Sequence, residues 1–296
     1  MFQLTTFDMG NGPVVGLRQG ENYFNSATFG SMREILDNWD LALEKLTTAS
    51  ERMVTRTPVS GVRLLPPLPE PRNIYFTGAN YTDHVEEMSR TLGLSLQTDP
   101  RASGIAPWFN LKSTTSVVGH GASVRTPGPD AKLDWEVELA VVIGRTACSV
   151  SVADALRHVA GYTVANDLSA RARMMRPHEA ESSPFRFDWL GHKSFDGSCP
   201  LGPAITPAVL VKDVQDLRIK LWVNDELMQD STTRNMIYSV ADLVAHLSRE
   251  VTLRPGDVIL TGTPAGVGAA RQEFLRPGDR VRQWIEEIGE FEFKIE

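Results

Sequence analysis

A β-rich α+β fold is what this sequence predicts, and three observations predict it. From Ile74 onward, short alternating or wholly apolar stretches outnumber helical ones, and turn residues separate them often. Ala140-Val141-Val142-Ile143 and Val258-Ile259-Leu260 are apolar throughout, the pattern of strands covered on both faces. Pro66, Pro67, Pro69 and Pro71 crowd one short stretch, remove backbone donors and favour an extended linker. That linker divides the 296 residues into a small N-terminal α/β unit, 1–65, and a larger catalytic domain, 72–296.

Composition narrows the function. The net charge is -7 and no Lys/Arg run stands out, which argues against nucleic acid or an anionic membrane as partner. Cys148 and Cys199 make neither a disulfide framework nor a thiolate metal site, and they fit a reducing compartment. The stretch Met1 to Thr6 lacks the basic start of a secretory signal, and no apolar run reaches the roughly 20 residues of a membrane span. A cytoplasmic protein is expected.

In the N-terminal unit, Phe2, Leu4 and Phe7 with Val14-Val15-Gly16-Leu17 predict a hairpin around Gly10-Asn11-Gly12-Pro13. Ile35, Leu36, Trp39, Leu43 and Leu46 recur at helical spacing, which predicts one amphipathic helix from Ser31 to about Met53. After the linker, Ile74 to Thr77 read as a short buried strand. Thr82 or Asp83 then caps a helix to about Leu92, on which His84 and Glu87 lie three apart and share a face. A carboxylate beside an imidazole is the arrangement of a general base and its helper, and also a common exposed contact. Residues 97–121 read as a long loop, in which Lys112 either pairs a substrate carboxylate or lies on the surface, the surface being preferred.

The stretch Leu133 to Gly144 reads as one strand. Alternation sends Asp134, Glu136 and Glu138 to one side and Trp135, Val137 and Leu139 to the other. Three acids in line call for water or a cation, so the strand is either a solvated face or part of a site for a hard divalent ion. Asp167 follows the strand ending at Asn166, where site residues collect, or it caps the next turn. The stretch 172–192 carries Arg173, Arg176, His178 and Arg186, as a loop meeting an anionic ligand or as a solvated one. Lys193 follows near Gly191, and a hairpin turns at Asn224-Asp225. Ser239 caps a helix, and Thr261-Gly262-Thr263-Pro264-Ala265-Gly266 after a buried strand can offer N–H groups and hydroxyls to an anion. It is not a P-loop, because no Lys-Ser/Thr ends it.

Taken in order, Gly78-Ala79-Asn80-Tyr81-Thr82-Asp83-His84, Asp134 to Gly144, Ala160 to Arg171, Lys193-Ser194-Phe195-Asp196 and Thr261 to Gly268 resemble the fumarylacetoacetate hydrolase family. The resemblance implies a mixed β-sandwich roll as the catalytic core and a homodimer. It implies one Mg²⁺ or Mn²⁺ per subunit, with Ca²⁺ as a possible substitute, held by Glu136, Glu138 and Asp167, with Asp134 in support. It implies His84, Glu87 and Lys193 as catalytic residues, and Tyr81, Arg173, Gly262 and Thr263 as substrate contacts. The chain departs from many relatives at Ala172, where they carry an acid, and in a longer stretch from Met174 to Asp188. Both departures touch substrate identity and not the expected ligands.

The activity so implied is metal-dependent C–C hydrolysis of a β-diketo acid, such as an acylpyruvate or fumarylpyruvate from aromatic catabolism, to pyruvate or another 2-oxo acid and a carboxylate. His84, oriented by Glu87, would deprotonate water, and Lys193 would offset the charge of the departing enolate. The alternative is decarboxylation, isomerisation or tautomerisation of a 2-oxo diacid such as oxaloacetate or 2-oxohept-3-ene-1,7-dioate. A third reading is a non-catalytic protein that binds 2-oxo acids.

Overall fold

The structure, a computed structural model, describes residues 1–26, 28–93 and 95–296. Its largest sheet runs Asn22–Asn25, Pro13–Gln19, Gln3–Asp8, Cys199–Pro207, Val159–Asn166, Val137–Ile143, Val258–Leu260, Ile74–Thr77 and Phe109–Lys112. A second sheet runs Glu226–Thr232, Arg218–Val223, Arg280–Ile285, Gly289–Ile295 and Ser123–Val124. Pairing is mostly antiparallel, but Val258–Leu260 lies parallel to Ile74–Thr77, so the large sheet is mixed. The strand-rich α+β class is therefore what the molecule has.

The strand Val137–Ile143 shows why the two layers meet. All seven of its residues are buried. Val137, Leu139, Val141 and Ile143 pack with Leu221, Val281, Phe291 and Phe293 of the second sheet. Ala140 and Val142, on the opposite face, pack with Ile35, Leu36 and Trp39 from the N-terminal helices. Side chains alternate with a period of two, so one strand serves both cores. Burying a Phe or Leu from such a strand contributes about 1.5–3 kcal/mol.

The N-terminal hairpin turns where expected, pairing Asp8 with Pro13. Its first strand also pairs antiparallel with Cys199–Pro207 at Leu4 and Ile205, so segment 1–65 shares a sheet and a core with the rest of the chain. The long helix expected from Ser31 is two helices, Met32–Asp37 and Trp39–Glu51, broken at Asn38 (φ -125°, ψ 38°). Helical spacing of apolar residues survives such a break, because both pieces bury the same side. The stretch 97–121 is not all loop: Phe109–Lys112 pairs with Ile74–Thr77. Among the described residues no helix is long and apolar enough to cross a membrane.

Candidate active site

The face of Val137–Ile143 that packs on the N-terminal helices at Ala140 and Val142 carries Glu138 two residues earlier, and that side chain opens into a cavity of about 580 Å³. Glu136 precedes the strand. The single strand expected from Leu133 is interrupted here: Leu133–Asp134 pairs instead with Ser169–Ala170. Side-chain amides take over the backbone across the gap, with Glu136 N donating to Asn166 Oδ1 at 3.2 Å and Val137 N to Gln229 Oε1 at 3.0 Å. Asp167 N donates to Glu136 O at 2.9 Å, which fixes the end of the neighbouring strand beside it. The result is that Glu136, Glu138 and Asp167, all buried, bring one carboxylate oxygen each within 4.8 Å of one another.

Asp134 turns elsewhere. It accepts from Gly268 N at 2.6 Å and Ala269 N at 3.0 Å and pairs with Arg171 Nε at 2.8 Å. Arg171 Nη2 in turn lies 2.5 Å from Glu136 Oε1. Asp134 thus orients the arginine that orients Glu136. Lys193 ends the short helix Trp189–Lys193, whose first turn is capped by Asp188 accepting from Gly191 N at 2.8 Å. Its Nζ lies 2.8 Å from Glu136 Oε2 and 2.6 Å from Asp167 Oδ2.

Lys112 is a correction. Its side chain is fully buried, its Nζ lies 2.7 Å from Asp167 Oδ1, and it donates to the Lys193 carbonyl. Its neighbour Leu111 is 56% exposed. This edge strand turns its charged residue inward and its apolar residue outward, the reverse of what hydropathy suggests. No signal in the sequence marks that inversion; the strand pairing of Lys112 with Ile74 creates it.

Electrostatics separates the two glutamates. Burial raises the Glu136 carboxyl, but the Lys193 and Arg171 charges outweigh it and hold the group well below the usual range. Burial, reinforced by Asp167 and Glu136, pushes Glu138 well above it. The protein's own cations therefore leave one carboxyl short of a counter-charge. Three carboxylates, without thiolate or imidazole, suit a hard divalent cation such as Mg²⁺ or Mn²⁺. The three oxygens converge within 4.8 Å and Glu138 has no protein cation paired with it, so the residues present fit such an ion.

The helix Thr82–Leu92 brings His84 to the same cavity, with Glu87 beside it. Its cap residue is Tyr81, not Thr82 or Asp83, and the Tyr81 side chain makes no capping bond, although Asp83 Oδ1 accepts from His84 N at 2.8 Å. Asp83 also accepts from the Ser231 hydroxyl at 2.6 Å. His84 lines the cavity, with Nδ1 3.6 Å from Glu87 Oε2, and both Glu87 oxygens lie 3.0 Å from the Gly266 N–H. Burial raises the Glu87 carboxyl, yet His84 and the Gly266 amide more than offset that and lower it.

The remaining expected contacts divide. Thr263 lines the cavity, its hydroxyl donating to Val137 O at 2.9 Å and accepting from Gln229 at 2.8 Å. Gly262 acts through Glu138, to which its N–H donates at 2.6 Å. Its φ of +93° and a would-be Cβ 2.8 Å from Asn80 Cβ explain the glycine. The Tyr81 ring is fully buried and its hydroxyl has no partner. Arg173 is exposed and donates to Pro127 O, whereas Arg171 lines the cavity. The stretch from Met174 to Asp188 folds back on itself, with Arg176 N donating to Arg186 O at 2.8 Å.

Known proteins similar to this chain fall in one family. The family described as "Fumarylacetoacetate (FAA) hydrolase C-terminal" matches residues 73–296. The chain is 38% identical over 287 residues to fumarylacetoacetate hydrolase domain-containing protein 2 of Pongo abelii, covering 94% of this chain and 86% of that one. It is 37% identical over 287 residues to the human mitochondrial oxaloacetate tautomerase FAHD2A, with the same coverage of 94% and 86%. The structure of maleylpyruvate hydrolase from Sphingobium sp. SYK-6 in complex with manganese(II) and pyruvate superposes with a TM-score of 0.74 at 30% identity, covering 99% of this chain and 98% of that one.

Proposed function

The chain belongs to the fumarylacetoacetate hydrolase family, and from that premise we propose that it catalyses metal-dependent keto–enol interconversion of a 2-oxo acid. Oxaloacetate is the compound in the relatives' names and the first one to assay. The observation that carries this reading is that His84, 3.6 Å from Glu87, shares one cavity with Glu136 and Glu138, whose carboxylates converge with that of Asp167. C–C hydrolysis becomes the second reading; the likeness to a maleylpyruvate hydrolase favours it.

Glu136, Glu138 and Asp167 would hold the divalent ion, which supplies Lewis acidity toward the keto oxygen and carboxylate of the substrate. His84 takes a proton from C3, and the Glu87 carboxylate offsets the charge the imidazole gains. The Lys193 ammonium faces the negative charge that develops on the keto oxygen. The proton returns to that oxygen, so nothing is gained or lost overall. Thr263 and Arg171 bound the substrate on the floor of the cavity. The hydrolytic reading needs the same His84 to activate a water aimed at a distal carbonyl.

The functional unit we propose is a homodimer in a reducing compartment; the cytoplasm is our expectation, while the relatives' names say mitochondrial. The test is a panel of oxaloacetate, an acylpyruvate and an unsaturated 2-oxo diacid with Mg²⁺, Mn²⁺ or EDTA. Metal-dependent acceleration of enol decay without pyruvate release supports tautomerisation, and His84→Ala should slow it by about 10²–10⁴-fold. Stoichiometric pyruvate from the acylpyruvate, with no effect on enol decay, would replace this reading by the hydrolase.

A further inference from the structure

We propose that the preferred substrate is a 2-oxo monoacid whose C3 substituent is aromatic or otherwise apolar, seated against Phe76, Trp108, Phe187 and Trp189. The proposal rests on the reading of the site as acting on 2-oxo acids and specifies which ones. The cavity has two unlike halves. Its floor carries the carboxylates, Lys193 and Arg171, and its upper wall is a chain of rings. Trp108 and Trp189 stand 5.0 Å apart at 49°, Phe76 meets Trp108 edge-on at 5.9 Å, and Phe187 stacks on Trp189 at 6.1 Å. Trp108 and Phe187 are each 44% exposed, although both border a cavity that could have been lined with polar groups. Contiguous exposed apolar surface of this kind marks a binding surface. Gly78 makes room for it, since a Cβ there would lie 2.7 Å from Trp108 Cε3.

Charge on the floor points the same way. Asp134, Glu136 and Asp167 pair with Lys112, Lys193 and Arg171 and Glu138 with none of them, so four carboxyls meet three cations. A divalent ion leaves one positive charge, which one substrate carboxylate neutralises. A second carboxylate would have to sit against the rings, and the groups there are already committed. Both Lys193 and Arg171 are paired, and the Tyr238 and Thr77 hydroxyls donate to the carbonyls of Ile105 and Trp108. His192 Nδ1 is bonded to the Ala170 carbonyl, and burial holds its imidazole near pKa 4, hence uncharged. Among the described residues lining the cavity, the one further group able to carry positive charge is His84, and its Nδ1 already faces Glu87 at 3.6 Å. A carboxylate moved from water onto such a wall loses solvation without a partner.

The experiment separates binding from turnover by using two 2-oxo acids that cannot enolise: phenylglyoxylate, an aromatic monoanion, and oxomalonate, a small dianion. Calorimetry on the Mn²⁺-loaded protein should find phenylglyoxylate bound about tenfold or more tightly. Trp108→Ala and, as a second variant with less risk to folding, Phe187→Ala should each remove most of that preference. In parallel, kcat/KM for enol–keto conversion should favour phenylpyruvate over oxaloacetate by about tenfold. Equal or tighter binding of oxomalonate, or loss of both ligands alike in the two variants, overturns the proposal. If phenylglyoxylate is preferred and no 2-oxo acid is enolised, the wall's specificity stands and the tautomerase reading falls.

Discussion

Glu138 lies on the strand Val137–Ile143, and Glu136 and Asp167 sit at the ends of that strand and of Val159–Asn166, whereas Trp108, Phe187 and Trp189 project from connections and a five-residue helix. The floor is over-determined. Glu136 touches Arg171 and Lys193, Asp167 touches Lys112 and Lys193, and Glu138 receives the Gly262 amide. The wall's side chains meet one another through ring contacts at centroid distances of 5.0–6.4 Å, with hydrogen bonds only to their backbone, as from the Thr77 hydroxyl to Trp108 O. Buried charges must be placed to a few tenths of an ångström or their partners fail. Apolar rings exclude water over a range of positions. On the proposed reading, the difference places the chemistry on strand ends of the sheet and the selectivity on the connections around it.

The largest effect should come from the floor. Glu136→Ala or Glu138→Gln should abolish Mn²⁺ binding by calorimetry and lower turnover by about 10²–10³-fold or more. Full activity in a metal-free Glu136→Ala protein would sink the metal reading. Next is Lys112→Met, which leaves the buried Asp167 with one cation fewer. Urea denaturation of the metal-free protein should show about 3 kcal/mol lost, the scale of breaking one partner of a buried pair. Added Mn²⁺ should restore part of it, because only the folded chain assembles the site. An unaltered midpoint would mean that Lys112 is incidental.

A smaller effect comes from His192, which joins floor to wall. Burial first, then Lys193 and Arg171, lowers its imidazole from 6.5 to about 4. The unfolded chain therefore takes up the proton before the folded one as pH falls. Stability is full above about pH 6.5 and declines toward pH 4. Between pH 7 and 5 this residue should account for about 2 kcal/mol, read as the difference in urea stability between the wild type and His192→Asn. The smallest effect belongs to Arg173→Ala. Its side chain faces Pro127 and not the cavity, so kcat/KM should stay within about twofold, as for most exposed substitutions. A tenfold loss would show that the loop brings Arg173 onto the wall when substrate binds.

Much of the fold is legible in the residues. Alternation and apolar runs mark the strands at Val137–Ile143, Val258–Leu260 and Gly289–Ile295. Ser239 marks the cap at the start of Val240–Glu250, which the structure completes as a capping box with Asp242, and Asn224-Asp225, both at positive φ, mark the hairpin turn. Such signals are local, because a dihedral preference or a period of two needs only neighbours in sequence. The break at Asn38 was not legible, since apolar spacing reports the buried side and not the continuity of hydrogen bonds.

What the sequence by itself determined is which residues carry charge near the ends of buried strands: Asp134, Glu136, Glu138, Asp167 and Lys193 stand out against apolar surroundings. Alternation could not separate Asp134 from the two glutamates. The tertiary structure did, by bringing Gly268, Ala269 and Arg171 to Asp134 and leaving Glu136 and Glu138 to converge with Asp167. It also decided that Lys112 is buried at the floor while Arg173 lies outside, and it drew the rings at 76, 108, 187 and 189 into one wall. The physical reason is the range of the forces. Backbone preference acts within a turn or a strand, whereas the partner of a buried charge is chosen by whatever distant segment the packing places a few ångströms away.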